Sequence, residues 1–400
     1  MPFAPDAVRA EFPALCEGAA HFDAPGGSLV PEVVADAIGD TLRSAVCQRG
    51  SNTMAERRTD AIVLGARQAV ADLLGADPGG VVFGRSMTQL TFDFSRTIAK
   101  TWKPGDEIVV SRLDHDADIR PWFIAAERAG VTVRWIEFDP ATAEIAVEDV
   151  VAQLTDHTRL VAVTAASNLV GTRPPIAEIA AKVHERGALL YVDGVHNTAH
   201  AFVDVAAMGA DFYVCSPYKF CGPHCGVLVA SPALLETLDP DKLLPSVNTV
   251  PERFELGTPA YELMAGTTAA IDFLSGLGGS TASSRRERLR ESIDAIGAYE
   301  DGLRRKVEAG LAGYPRATLY SRARVRTPTL LFTVDSMEPR EVSVRLGRLD
   351  INVPSGNFYA IEASRRLGLG DAGGVRVGLA PYTSAADVDR LLEALGGILA

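Results

Sequence analysis

Two short apolar runs, each ending on a reactive group, constrain this chain more than any other feature. Leu189-Leu190-Tyr191-Val192 runs into Asp193, and Phe212-Tyr213-Val214-Cys215 delivers Ser216, Pro217, Tyr218 and Lys219. Brief runs rich in aromatic and β-branched residues read as buried strands. In an open α/β sheet, ligands bind beyond the carboxyl ends of such strands. A carboxylate on one strand end and an amine on the next suit pyridoxal 5′-phosphate (PLP). Its ring nitrogen pairs with an anion, and its aldehyde takes a lysine as a Schiff base. The same spacing equally suits a structural ion pair, so other parts of the chain must decide.

The surrounding pattern is that of a parallel sheet with helices on both faces. Strand-like segments at 81–83, 107–110, 131–135, 160–164, 189–193 and 212–215 alternate with helical stretches at 57–74, 89–100 and 176–185. Past about residue 258 the texture changes. A helix over 261–275 and a long charged helix over 284–309 precede mixed strands at 329–334, 351–353 and 375–379. With 400 residues, two domains are the expectation. The expected division is an N-terminal segment over 1–20, a large domain over 21–264 and a smaller α+β domain over 265–400.

Composition narrows the partners. A net charge of −12 argues against nucleic acid. No apolar stretch approaches the roughly 18 residues of a membrane helix, and no signal peptide is visible at Met1-Pro2-Phe3. Five cysteines without an extracellular signal read as reduced thiols in a cytoplasm. Cys221, His224 and Cys225 lie close together, but a zinc site needs further ligands and none clusters beside them, so no metal is expected.

Several turns have the chemistry of a binding site. Gly84-Arg85-Ser86-Met87-Thr88 carries a strand into a helix, presenting free N–H groups and hydroxyls at a positive helix end, which suits a phosphate. Taken alone it is also an ordinary N-cap. Pro25-Gly26-Gly27 is a turn whose bare backbone lets a ligand approach closely. His115 and Asn168 each follow the carboxyl end of a strand.

In this order the motifs resemble the class V aminotransferase family of fold-type I PLP enzymes, nearest its cysteine desulfurase and selenocysteine lyase branch. The resemblance runs from about His21 to Leu395 and is most specific at Tyr191-Val192-Asp193-Gly194-Val195-His196 and Ser216-Pro217-Tyr218-Lys219. It implies that Lys219 binds the cofactor aldehyde and that Asp193 pairs with the ring nitrogen. It implies that Ser86, Met87, Thr88 and Ser216 face the phosphate, that His115 stacks on the ring, and that Asn168 and His196 flank the ring oxygen. Glu255-Leu256-Gly257-Thr258-Pro259 resembles a family segment whose threonine, here Thr258, reaches the phosphate of a partner subunit, implying a homodimer with shared sites. Arg376 stands where these enzymes hold the substrate carboxylate, with Gly27 and Asn168 beside it.

The chain departs from that branch where a sulfur-accepting cysteine is expected. Tyr359, in Ser355-Gly356-Asn357-Phe358-Tyr359, falls at that position, and a phenol cannot carry a persulfide. Cys221 or Cys225 could substitute only if it lay near the cofactor. Tyr218 replaces a usual histidine and is a candidate proton relay. The expected function is a PLP-dependent C–S lyase that eliminates a β-leaving group from a cysteine-type amino acid. The alternatives are an epimerase or aminotransferase of the family, a desulfurase using a non-standard cysteine, and a catalytically silent binding protein.

Overall fold

The computed structural model describes residues 3–399. Its main feature is a seven-stranded sheet in the order Val81–Gly84, Gly226–Ala230, Phe212–Cys215, Leu189–Asp193, Thr158–Thr164, Glu107–Ser111 and Thr132–Ile136. All neighbours pair in parallel except around Gly226–Ala230, which runs antiparallel to both of its partners. That strand was not expected from the sequence.

Side chains alternate across each strand. Val161, Val163, Leu190, Val192 and Tyr213 pack on one face, and Leu160, Ala162, Tyr191, Phe212 and Val214 pack on the other. Both faces are covered, so the strands read as continuous apolar runs. The helix Met54–Leu74 covers one face. Thr53 accepts the N–H of Glu56 while the Glu56 carboxylate takes that of Thr53, and Gly75 closes the helix with φ 66°. The helix Met87–Ala99 starts on the other face, capped by the Ser86 hydroxyl, which accepts from Gln89 N at 3.1 Å.

The C-terminal part builds a four-stranded antiparallel sheet, ordered Ser355–Gly356, Gly374–Gly378, Thr329–Val334 and Ala317–Leu319. The helices Arg285–Ala312, Pro339–Gly347 and Ala385–Leu399 supply Leu303, Val342 and Leu391 to its core. The N-terminal segment joins this part. Ala20–His21 pairs in parallel with Ile351–Asn352, Ala20 and Phe22 lie in the same core, and Asp23 bridges to Gly378. The helix Tyr261–Gly276, which spans residue 265, packs against the helices Glu32–Arg43 and Met54–Leu74.

This arrangement directs the carboxyl ends of six strands that run in the same direction to one edge of the large sheet. Arg376, on the strand Gly374–Gly378, reaches the same edge from the C-terminal part.

Candidate active site

A cavity of about 680 Å³ opens at that edge. Five strand ends contribute to its wall. Ser86, Met87 and Thr88 follow the first strand, His115 the next, and Asn168 the one ending at Thr164. Asp193 and His196 come from the strand Leu189–Asp193, and Ser216, Tyr218 and Lys219 follow Phe212–Cys215. With Arg376 these make eleven of the expected site residues in one wall.

Two expected residues lie elsewhere. Gly27 is one position beyond the lining residue Gly26, and a Cβ on it would sit 3.4 Å from the Tyr218 ring. Thr258 lines a second cavity of about 390 Å³, together with Arg85, Gln89 and His224. It is exposed there and accepts from Gln48 Nε2 at 3.4 Å. The Glu255 carboxylate anchors its segment by accepting from Phe83 N and Arg67 Nη2, both at 2.9 Å.

The electrostatics of the wall follow from burial. Burial raises the Asp193 carboxyl to about 6, against a 2.9 Å hydrogen bond from Val195 N and the nearby Lys219, which both lower it. Burial also raises Asp114 and Asp118, with further like-charge raising of both by Asp193 and of Asp118 by Asp114. Asp114 takes the Thr164 N–H and Asp118 takes the Trp122 indole at 3.2 Å, yet each has one buried oxygen without a partner. Nothing in the sequence singles out Asp114 or Asp118.

Lys219 is lowered to about 7, first by burial and then by Arg376. Its amine donates to the carbonyls of Pro25 and Gly26 and lies 4.5 Å from the Tyr218 ring centre. Tyr218 in turn stacks on His224 at 4.6 Å, with an interplanar angle of 9°. Burial raises its phenol, which stays neutral at ordinary pH.

His115 is lowered to about 4, mainly by burial with help from Lys219. Its Nδ1 accepts from Ala117 N at 3.0 Å, which leaves the proton of the neutral ring on Nε2. Burial also holds His196 well below its usual range, and its Nε2 meets the Thr327 and Thr329 hydroxyls at 3.0 and 2.8 Å.

The fit to PLP can be tested on unpartnered atoms. Asn168 Oδ1, His196 Nδ1 and Arg376 Nε are buried without a hydrogen-bond partner, and all three residues line the cavity. Buried polar groups are normally satisfied, so three orphans around one space point to a polar ligand. An anion at Asp193, an amine at Lys219 and a capped helix start at Ser86 match the three ends of PLP.

Tyr359 also lines the cavity, at its exposed mouth, with its ring stacked on His115 at 5.5 Å. Phe358 and Tyr359 have φ of 52° and 60°, a left-handed conformation that non-glycine residues adopt only under constraint. The constraint is visible: Asn168 Nδ2 donates to Phe358 O at 2.9 Å, and Asp116 N donates to Tyr359 O at 2.7 Å. No cysteine lines this cavity among the described residues. Cys221 and Cys225 are buried, and burial pushes their thiols up to about 12 and about 11. Cys225 lines the second cavity instead. No three His, Cys, Asp or Glu side chains among the described residues group in a way that could hold a metal ion.

One glycine links the fold to the site directly. A Cβ on Gly226 would sit 2.2 Å from the Ser86 carbonyl carbon and 2.5 Å from Met87 N, which are backbone atoms with little freedom to yield. Gly226→Ala is expected to cost about 1–3 kcal/mol of stability and to weaken cofactor retention. Thermal melts with and without added PLP would check this, and an unchanged melting temperature would contradict the close packing.

Similar proteins share this fold. The cysteine desulfurase CsdA of Escherichia coli superimposes with a TM-score of 0.88 at 26% identity, covering 100% of both chains. The apo cysteine desulfurase of Thermococcus onnurineus gives 0.89 at 25% identity over 100% of this chain and 98% of its own. Fold and site together define a fold-type I, PLP-dependent enzyme. The family described as aminotransferase class-V matches residues 20–391, and the chain belongs to that family. Within it the chain is a cysteine desulfurase-like enzyme. A cysteine desulfurase of Dickeya dadantii is 31% identical over 413 residues, covering 98% of this chain and 95% of its own. An uncharacterized protein of Mycobacterium tuberculosis is 34% identical over 394 residues, covering 98% of both.

Proposed function

We propose that this enzyme is a C–S lyase that eliminates a β-leaving group from a cysteine-type amino acid, releasing pyruvate, ammonia and a thiol. The observation that carries this reading is Tyr359 in the cavity wall with no thiol lining that cavity among the described residues. A desulfurase has to park sulfur on a nucleophile, and a neutral phenol cannot take it. The raised thiols of Cys221 and Cys225 weigh against either as a surrogate.

In this proposal Asp193 faces the ring nitrogen of PLP, Ser86 to Thr88 and Ser216 face the phosphate, and Asn168 and His196 face the ring oxygen. When bound, PLP supplies an electron sink for negative charge that develops at the substrate Cα. The chain supplies the remaining work. Arg376 offers a planar fork to the substrate carboxylate. Lys219, with its amine near 7, is partly neutral at physiological pH and can take the Cα proton as a base. Breaking the Cα–H and Cβ–S bonds and consuming one water yields the three products, so no oxidant or acceptor is needed. The neutral Tyr218 phenol beside Lys219 is suited to hand a proton to the departing sulfur.

The reading extends to assembly. A second copy covering the exposed Leu243, Leu244, Val247 and Leu256 would bring Thr258 to the partner's site. Five unpaired cysteines support a cytoplasmic setting, and no helix is long and apolar enough to cross a membrane among the described residues.

The discriminating experiment supplies cysteine, cystine and β-chloroalanine in deuterated buffer. Pyruvate from each is the expected result. Deuterium at Cα without pyruvate would replace elimination with epimerisation. A 3-substituted pyruvate that keeps its sulfur or chlorine, formed only when an amino acceptor is present, would instead indicate transamination.

A further inference from the structure

Arg376 does not stand free for a substrate. Its guanidinium is only 2% exposed, and its Nη2 donates to Asp23 Oδ1 at 2.7 Å while Nη1 donates to Asn168 O at 3.0 Å. The Phe358 ring lies 3.7 Å from it, and its Nε has no partner. Asp23 belongs to a tight turn. Its backbone carbonyl accepts from Gly26 N at 2.9 Å and Gly27 N at 3.0 Å, and its Oδ1 also accepts from Gly26 N at 3.1 Å. Two further carbonyls of that turn, on Pro25 and Gly26, take the Lys219 amine. One five-residue turn therefore holds both cations that the proposed chemistry requires.

The two partners differ in access. The Asp23 side chain is 32% exposed against 2% for Arg376, so the acid can reach water where the base cannot. A guanidinium buried this deeply needs an anion beside it. A second carboxylate on the same guanidinium repels the first, so an arriving anion and Asp23 compete.

We propose that Asp23 is an internal stand-in for the substrate carboxylate, occupying Arg376 until an amino-acid substrate displaces it toward solvent. The inference rests on Arg376 being the carboxylate site of the proposed function. It makes carboxylate binding an exchange, and it makes Asp23 a specificity-determining residue. Ligands without a carboxylate cannot open the pair, and those with one bind less tightly than the bare arginine would allow.

Propionate is a suitable probe because it carries the carboxylate but no amine to react with the cofactor. Its dissociation constant is measured by calorimetry on the holoenzyme, on Asp23→Asn and on Arg376→Ala. Asparagine keeps the oxygen that accepts from Gly26 N, so the turn is preserved. Asp23→Asn is expected to bind propionate on the order of tenfold tighter, equivalent to one charge-assisted hydrogen bond no longer given up. Arg376→Ala is expected to lose binding. Unchanged or weaker binding in Asp23→Asn overturns the proposal and leaves Asp23 as a mere support for Arg376. Full binding in Arg376→Ala removes the assignment of Arg376 itself, and the proposal with it. If Asp23→Asn does not fold, a crystal structure of the wild-type holoenzyme with propionate decides. Asp23 Oδ1 withdrawn from Arg376 supports the exchange, and an intact pair beside bound propionate overturns it.

Discussion

Lys219→Ala is expected to lose turnover by about 10⁴, the upper range of what one general base contributes, and to lose covalent attachment of the cofactor entirely. Borohydride reduction followed by peptide mapping should place the cofactor on Lys219 in the wild type and on no peptide in the variant. The lysine also predicts a pH limb. Its amine is held near 7 by burial and by Arg376, and only the neutral form is a base. The kcat of the wild type should therefore fall as pH drops through about 7. Turnover retained in the variant, or a kcat flat across that range, would remove Lys219 as the base.

Asp193→Asn should lower kcat by about 10²–10³, the scale of losing one preorganised electrostatic contact. Asparagine can still accept from Val195 N but carries no charge for the ring nitrogen. The effect should not come from misfolding. Removing this charge relieves the repulsion that raises Asp114 and Asp118, so thermal stability of the cofactor-free variant is not expected to fall. A second signature separates charge from shape. Asp193 titrates near 6, so it becomes neutral as pH falls through that value, and cofactor retention by the wild type should weaken there. The asparagine variant should lack that limb. An unchanged kcat would mean that Asp193 does not face the ring nitrogen.

Much of this was legible in the sequence because it is local. Leu190 to Val192 and Phe212 to Cys215 are buried on both faces, so their apolar runs announce strands without help from elsewhere. The residues following those strands then fall on one sheet edge by topology, which brought eleven expected residues into one wall. The strand Gly226–Ala230 escaped although its apolar run, Val227-Leu228-Val229-Ala230, is no shorter than those two, and its antiparallel direction is not written in any local pattern. Gly27 missed the wall by one residue, since the run Pro25-Gly26-Gly27 does not say which glycine lines the cavity.

Pairings across long stretches of chain were not legible at all. Asp23 and Arg376 are 353 residues apart, and an aspartate in a glycine turn looks like any turn acid. The buried acids Asp114 and Asp118 carry the polar spacing of a loop, and only their enclosure makes them unusual. Thr258 lines the second cavity and not the main one, and the motif around it does not say which.

We propose that an intact PLP cradle here works without a sulfur-accepting thiol. Following the carbon skeleton of ¹³C-labelled cysteine by NMR, with the protein analysed by mass spectrometry in the same reaction, tests it most directly. The expected result is pyruvate, with ammonia and sulfide released in equal amounts and no sulfur added to the chain. Alanine, together with a persulfide on any of the five cysteines, would contradict it.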